Sequence, residues 1–170
     1  MEEMTDAALV ERALKTGVQE AKVIDPATVV AAEWVRLKCQ FGCGGYGKCL
    51  TCPPRSPTPA ETRAVLTHYH RAVLVHNRGR KYTSVREAVA ALERDLFLAG
   101  FYKAFAMGSG PCHLCDTCGL DECQHADEAR PAMEACGIDV YATVRANGFT
   151  IETVKDRKQT PDFFGLVLVE

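Results

Sequence analysis

The stretch around which the rest of the chain is organised is Cys112-His113-Leu114-Cys115-Asp116-Thr117-Cys118, which is followed five residues later by Cys123. Three cysteines separated by two residues each, with a fourth nearby, have the spacing of ligands to one inorganic centre. Bacterial ferredoxins use a similar run, whose last cysteine binds a second cluster. Structural zinc sites more often use two separated C-x2-C pairs. The spacing therefore favours an iron–sulfur cluster over zinc.

A second set of cysteines lies closer to the N-terminus, with glycines at positions 42, 44, 45 and 47 between its members. These glycines exclude a regular element and let the backbone bend around a ligand centre. Cys52 is followed by Pro53, as is the last cysteine of ferredoxin runs. We predict two [4Fe–4S] clusters, whose metal and cofactor ligands form a first cysteine group (Cys39, Cys43, Cys49 and Cys52) and a second cysteine group (Cys112, Cys115, Cys118 and Cys123).

Three alternatives remain open from the residues alone. Eight cysteines can also form two closed four-thiolate zinc sites, which would make the chain a structural interaction module. If only three cysteines of the first group bind a cluster, one iron stays open for a substrate, and the protein would be an enzyme with no assignable catalytic residue. The ninth cysteine, Cys136, is either a small buried residue at the end of a helix or a ligand that replaces Cys49 or Cys123.

Composition gives no reason to expect nucleic acid or a membrane as a partner. The net charge is −2 and no apolar run approaches the roughly 20 residues of a membrane span. The acidic N-terminus lacks the basic and apolar regions of a signal peptide, so we expect none. Nine cysteines in such a chain indicate metal binding in a reducing cytoplasm rather than a secreted disulfide scaffold.

The hydrophobic pattern predicts one α/β or α+β domain over residues 1–170, with a small mixed sheet flanked by helices and both cysteine-rich metal loops at one end. Thr58 and Glu61, like Ser84 and Glu87, have the spacing of a capping box. We predict helices over residues 5–16, 58–69, 84–99, 126–135 and 140–146, and strands over residues 20–24, 33–38, 72–76, 101–107, 151–154 and 164–169.

The strand, helix and strand predicted between residues 72 and 107 form a βαβ-like unit. The second cysteine group follows its last strand directly. Strand ends are where α/β proteins commonly place their sites.

Four blocks of the sequence resemble a family of cysteine-rich, predicted metal-binding proteins of anaerobic bacteria and archaea. The blocks are W-V-R-L-K-C-Q-F-G-C (34–43), C-P-P with S-P-T-P (52–59), G-P-C through Cys123 (110–123) and A-R-P-A-M-E-A-C-G-I-D-V (129–140). The resemblance covers most of the chain beyond residue 21. It implies a metal-binding protein of iron–sulfur type, names no reaction, and marks Cys39, Cys43 and Cys52 as more characteristic than Cys49.

A weaker likeness concerns residues 100–111, G-F-Y-K-A-F-A-M-G-S-G-P, which lead into the second cysteine group. This layout resembles that of cobalamin-dependent epoxyqueuosine reductases and reductive dehalogenases, which are much longer proteins. Together the observations predict one-electron transfer to a redox partner protein, with a corrinoid protein or another oxidoreductase system as the candidate.

Overall fold

The computed structural model describes residues 4–170 and has α+β architecture, as predicted. The α-helices are α1 (Asp6–Lys15), α2 (Trp34–Gly42), α3 (Pro59–Leu66), α4 (Val85–Leu98) and α5 (Val140–Ala146). The strands are β1 (Glu20–Ile24), β2 (Ala72–Arg78), β3 (Phe105–Met107) and β4 (Asp162–Leu168), and short 3-10 helices span Pro26–Thr28 and Glu134–Cys136. Residues 1–3, which belong to the acidic stretch behind the signal-peptide prediction, lie outside the described residues. None of the helices described is long and apolar enough to cross a bilayer.

The strands form one sheet in the order β1-β2-β4-β3. All three neighbouring pairs are antiparallel, whereas we expected a mixed sheet. Since β2 and β3 both pair with β4, they are parallel to each other and α4 connects them across β4. The predicted βαβ-like unit therefore exists, but in a split form with β4 inserted between its strands.

The sheet is covered on both faces because its central strands are apolar on both sides. On one face, Val73 and Val75 of β2 pack with buried residues of α1 and α4, including Leu9 and Leu92. On the other face, Leu74 packs in a cluster that contains further apolar residues and Cys136. This cluster also contains Met107, Met133, Ile138, Val144 and Leu166. Helix α3, α5 and the 3-10 turn at Glu134–Cys136 contribute to this second face.

Several elements agree closely with prediction. Strand β1 has the predicted bounds, α1 begins after the capping residue Thr5, and Asp139 caps α5. At α3 the capping box of Thr58 and Glu61 is complete. Local sequence thus determined the beginnings of these elements.

The strand predicted over residues 33–38 is wrong, because these residues begin α2. Residues 28–37 are apolar and β-branched at their start, which suggested that their second half forms a strand. In the helix only Val35 is buried, while Trp34 and Leu37 are 48% and 57% exposed. Arg, Leu, Lys and Gln are good helix formers, and here this propensity outweighs the apolar run.

Four further expectations need correction. Residues 126–135 form no α-helix: residues 126–128 form a turn, and residues 134–135 belong to the 3-10 helix Glu134–Cys136. Pro131 has no backbone N–H for an α-helix, and its carbonyl oxygen instead accepts from the Gly108 N–H. Residues 151–154 form no strand, and of residues 101–107 only Phe105–Met107 pair with β4. Ser84 stands at the N-cap of α4, but its side chain makes no capping hydrogen bond.

Candidate metal centre

Helix α2 positions the first two cysteines of the first group. Cys39 lies in its last turn and Cys43 is its C-cap, so the four-residue spacing brings both onto one side of the helix end. The chain then turns through the glycine-rich segment to Cys49 and Cys52, which are both buried. The first group is therefore half helix and half loop, rather than the loop that we expected.

The first group is anchored to the second face of the sheet through the 3-10 turn at Glu134–Cys136. The Cys39 thiol faces the Glu134 carbonyl oxygen at 3.8 Å, and the Ser56 hydroxyl donates to the Ala135 carbonyl oxygen at 2.5 Å. The Thr62 hydroxyl donates to the Cys136 carbonyl oxygen at 2.6 Å. From α2, the Arg36 guanidinium donates to the carbonyl oxygens of Ser56 and Pro57. These bonds join the segments that carry Cys39 and Cys52.

The second cysteine group lies in a long segment without helix or strand, between Met107 and the turn at Glu134. The segment is fixed at both ends. At its start, Gly108 donates to the Pro131 carbonyl oxygen and accepts from the Met133 N–H. At its end, the Arg130 guanidinium binds both carboxylate oxygens of Glu93 on α4, at 2.7 and 2.6 Å. The Ala106 N–H also donates to the Glu93 carboxylate, at 2.6 Å, so this carboxylate covers the free edge of β3.

The two cysteine groups lie side by side. A Cβ built on Gly45 would lie 3.3 Å from Cβ of Pro111, so the glycine-rich segment packs directly on the start of the second group. The Cys112 backbone N–H approaches the Cys49 sulfur. The two groups are therefore neighbours in space, as we expected.

The cysteines divide between two cavities in a way that the spacing did not indicate. The second-group cavity, of about 620 Å³, is lined by Cys49 together with all four cysteines of the second group. The Glu134 cavity, of about 410 Å³, is lined by Cys39, Cys43 and Cys52 and by Glu134. Cys49 thus faces the second group, although its thiol also hydrogen-bonds that of Cys52.

Burial, reinforced by the neighbouring thiols, makes three of these thiols, those of Cys39, Cys52 and Cys115, harder to ionise without a cation. Burial, then the neighbouring thiols, raises the pKa of Cys52 to about 12. For Cys115, desolvation and the charges of Cys118, Cys112 and Cys123 likewise raise the pKa. Cys49 differs: burial opposes its ionisation, but hydrogen bonds from Thr51, Cys52 and backbone N–H groups outweigh burial and lower its pKa. A bound metal supplies the positive charge that keeps clustered thiols deprotonated.

The donor set suits a soft metal or an iron–sulfur cluster, because thiolates are its main ligands. Either cavity has cysteine sulfurs on its wall and backbone N–H groups nearby, as with the Gly45 N–H that donates to the Cys43 sulfur at 3.4 Å. In the part of the chain that the structure describes, no three His, Cys, Asp or Glu side chains converge as ligands of a single metal ion.

Cys136 lies in the hydrophobic core of the second face, fully shielded from solvent. Burial raises the pKa of its thiol to about 12. It is not among the residues that line either cavity. These observations favour the interpretation of Cys136 as a packing residue.

Two features near the cysteines were not predicted from the sequence. One is Glu134, whose Oε2 atom is buried in the wall of the Glu134 cavity without a hydrogen-bond partner. Burial raises the pKa of Glu134, and only its own backbone N–H acts in the opposite direction. The other is the Glu93–Arg130 ion pair. Neither has a local sequence signal, since each depends on residues that are distant along the chain.

A family model described as "Predicted metal-binding protein (DUF2284)" matches residues 22–169. The chain belongs to this family. The match includes all nine cysteines and both cavities, and it begins within β1. No curated protein and no solved structure matches the chain. Membership of the family supports metal binding and leaves the kind of metal to the chemistry of the site.

Proposed function

We propose that this member of the predicted metal-binding family is a cytoplasmic iron–sulfur protein with two [4Fe–4S] clusters, and that it transfers single electrons to a partner protein. The observation that carries the proposal is the second-group cavity, in which the C-x2-C-x2-C run, Cys123 and Cys49 surround one space. Five cysteines that line one cavity suit a polynuclear cluster, for which four are needed. The fifth cysteine is then available as a ligand of the neighbouring site.

The ligands of one cluster would come from the second group, and those of the other from Cys39, Cys43 and Cys52 with Cys49 or Cys136 as the open choice for the fourth. The position of Cys136 in the hydrophobic core, away from both cavities, favours Cys49 as the fourth ligand. When bound, such clusters accept and release one electron at a time, at potentials set by hydrogen bonds to sulfur and by solvent exposure. This chain would contribute N–H donors such as that of Gly45 and the burial of Cys49 and Cys52.

The surface over the second group suggests the character of the partner. Residues 113–128 contain no Lys or Arg. They carry five exposed carboxylates, which we call the acidic surface: Asp116, Asp121, Glu122, Asp127 and Glu128. A redox protein with a basic face would be attracted to this surface, and steering of this kind speeds encounter. A corrinoid protein is one candidate for that partner.

An enzyme with an open cluster site is the second candidate function. The observation that favours it is that only three cysteines line the Glu134 cavity, so that a cluster held by them would keep one iron free of thiolate. Zinc is the remaining alternative, with four thiolates closing each site and no redox chemistry.

The test is the content of iron, zinc and acid-labile sulfide in protein purified without oxygen, together with its visible spectrum. We expect about eight iron and eight sulfide per chain and a broad absorbance that dithionite bleaches reversibly. About four of each would mean that one cysteine group holds no cluster. About two zinc without sulfide would overturn the proposal and leave a structural module.

A further inference from the structure

We propose that the Glu134 cavity is a binding site for a small organic amine with an apolar body. This inference rests on the proposed function, since Cys39, Cys43 and Cys52, the ligands proposed for one cluster, line part of the same cavity. At about 410 Å³ the cavity has the size of a small-molecule site. Its wall combines these sulfurs with aromatic side chains and one unpaired carboxylate.

The polar contact of this site is Glu134. Its buried Oε2 has no donor within the described chain, and a buried acceptor left unpaired costs free energy. The other two carboxylates that line the cavity already have partners. Asp139 accepts from the Ala142 N–H at 2.9 Å, and Asp162 pairs with a ring nitrogen of His76 at 2.8 Å. Of the three carboxylates that line the cavity, Glu134 is therefore the one that lacks a hydrogen-bond donor among the described residues and could accept from a ligand.

The other residues that line the cavity favour a cationic group as the hydrogen-bond donor to Glu134. Trp34, Tyr46, Tyr141 and Phe164 line the cavity, and aromatic faces attract ammonium groups. The nearby sulfurs and carboxylates are acceptors or anions. Lys38, the basic residue among those that line the cavity, is exposed at its rim on α2. A ligand carboxylate would meet mostly negative groups, whereas an ammonium group would find a partner in Glu134.

The experiment uses three aromatic probes of similar shape on the anaerobically purified, metal-loaded protein: benzylamine, benzyl alcohol and benzoate. Isothermal titration calorimetry measures their dissociation constants. We expect benzylamine to bind one site per chain, benzyl alcohol to bind more weakly, and benzoate to bind weakest. Glu134→Gln should weaken benzylamine binding about tenfold or more, because it removes a charge-assisted hydrogen bond. Glu11→Gln, an exposed carboxylate of α1 on the opposite face, is the matched control.

Trp34→Leu provides a second variant that should fold normally, since Trp34 is 48% exposed. It removes an aromatic face while keeping the site apolar. It should therefore weaken benzylamine more than benzyl alcohol.

Failure to detect saturable benzylamine binding would overturn the inference, as would benzoate binding equally well or an unchanged affinity in Glu134→Gln. Iron and sulfide are measured on the same samples. Amine binding to a protein that contains zinc would refute the iron–sulfur proposal and support the amine site. An iron–sulfur protein that does not bind the amine would support the iron–sulfur proposal and refute the amine site.

Discussion

At the residue scale, single cysteines of the second group should be individually required for one cluster. We predict that Cys115→Ala lowers iron and sulfide to about half of the wild-type content, because the second group loses a ligand while the first group keeps its own. The sheet should stay folded, since Cys115 lies in a segment outside the hydrophobic core. Metal analysis and far-ultraviolet circular dichroism provide the check. Full iron and sulfide in the variant would show that Cys115 is no ligand.

Cys136→Ala is the matched control for that experiment. It should keep the full iron and sulfide content, because the thiol packs in the core instead of lining a cavity. It should still lower the free energy of unfolding by about 1–2 kcal/mol, since a buried sulfur is replaced by a void. Loss of iron from Cys136→Ala would instead identify Cys136 as the missing ligand of the first group.

The Glu93–Arg130 pair should be needed to hold the second group in place. Both side chains are largely shielded, at 12% and 16% exposed, so Arg130→Met leaves a carboxylate without its partner. We expect about 2–4 kcal/mol less stability toward urea, together with faster loss of iron from the second group. Arg94→Met, on the exposed side of the same helix, should change neither quantity. Equal iron loss from both variants would contradict a specific role for the pair.

The sequence indicated the cysteines as candidate ligands but did not indicate the roles of the carboxylates around them. Thiol spacing is a local signal, because ligands of one centre recur within a few residues. Glu93 and Arg130 are separated by 37 positions. Glu134 is distinguished only by the fold, which buries its Oε2 without a partner and brings its backbone carbonyl oxygen to the Cys39 thiol. Such environments arise from tertiary packing, which no spacing within the chain reveals.

At the scale of elements, the two S/T-x-x-E sequences at the beginnings of α3 and α4 should contribute unequally. The Thr58 hydroxyl accepts from the Glu61 N–H at 3.2 Å, whereas the Ser84 side chain makes no capping bond. We predict that Thr58→Ala lowers the free energy of unfolding by about 1 kcal/mol and that Ser84→Ala changes it by less than about 0.5 kcal/mol. Urea unfolding at neutral pH measures both, and equal effects would contradict the assigned caps.

The same cap has a predictable dependence on pH. Hydrogen bonds from the backbone N–H and then the hydroxyl of Thr58 lower the pKa of Glu61 below its ordinary value of 4.5. The stabilisation is therefore present above pH 4.5 and is lost as pH falls through the folded pKa. The stability difference between the wild type and Glu61→Gln should shrink on acidification through this range. A difference that grew on acidification would have the wrong sign.

Elements were predictable where their signals were local. Capping residues, glycine stops and the buried run of β2 gave bounds close to those observed. Prediction failed at α2, where an apolar run with a β-branched start concealed a helix, and over residues 126–135, where a hydrogen bond from Gly108 to the Pro131 carbonyl replaces helical pairing. At α2 helix propensity outweighs the apolar run, whereas over residues 126–135 a tertiary hydrogen bond outweighs the local pattern.

At the scale of the whole molecule, charge is unevenly distributed although the net charge is only −2. We predict that reduction of a basic one-electron acceptor such as cytochrome c by the dithionite-reduced protein slows about tenfold or more between low and high salt. Charge-reversing substitutions at Asp121 and Glu122 of the acidic surface should slow the reduction of cytochrome c at low salt. Reversal at Glu11 and Glu87, on α1 and α4, is the control, and an equal effect there would argue against docking at the acidic surface. Stopped-flow absorbance follows the reaction.

The split connection also explains why the sheet order could not be derived from sequence. The strand, helix and strand between residues 72 and 107 were recognisable one after another. That β4 lies between β2 and β3 depends on pairing between residues 59 to 96 positions apart, from Met107 with Leu166 to Ala72 with Leu168. An alternating or apolar pattern identifies a strand but does not identify its neighbours.

The position of β4 has a consequence for biosynthesis. It is the last of the four strands to leave the ribosome, yet it occupies an inner place in the sheet. Both cysteine groups are translated before it, so they emerge while the edge of β2 that β4 will cover is still unpaired. The sheet cannot be completed until residues 162–168 have been synthesised. Until then the nascent chain carries both cysteine groups and an unpaired edge of β2, at which metal and chaperones can reach it.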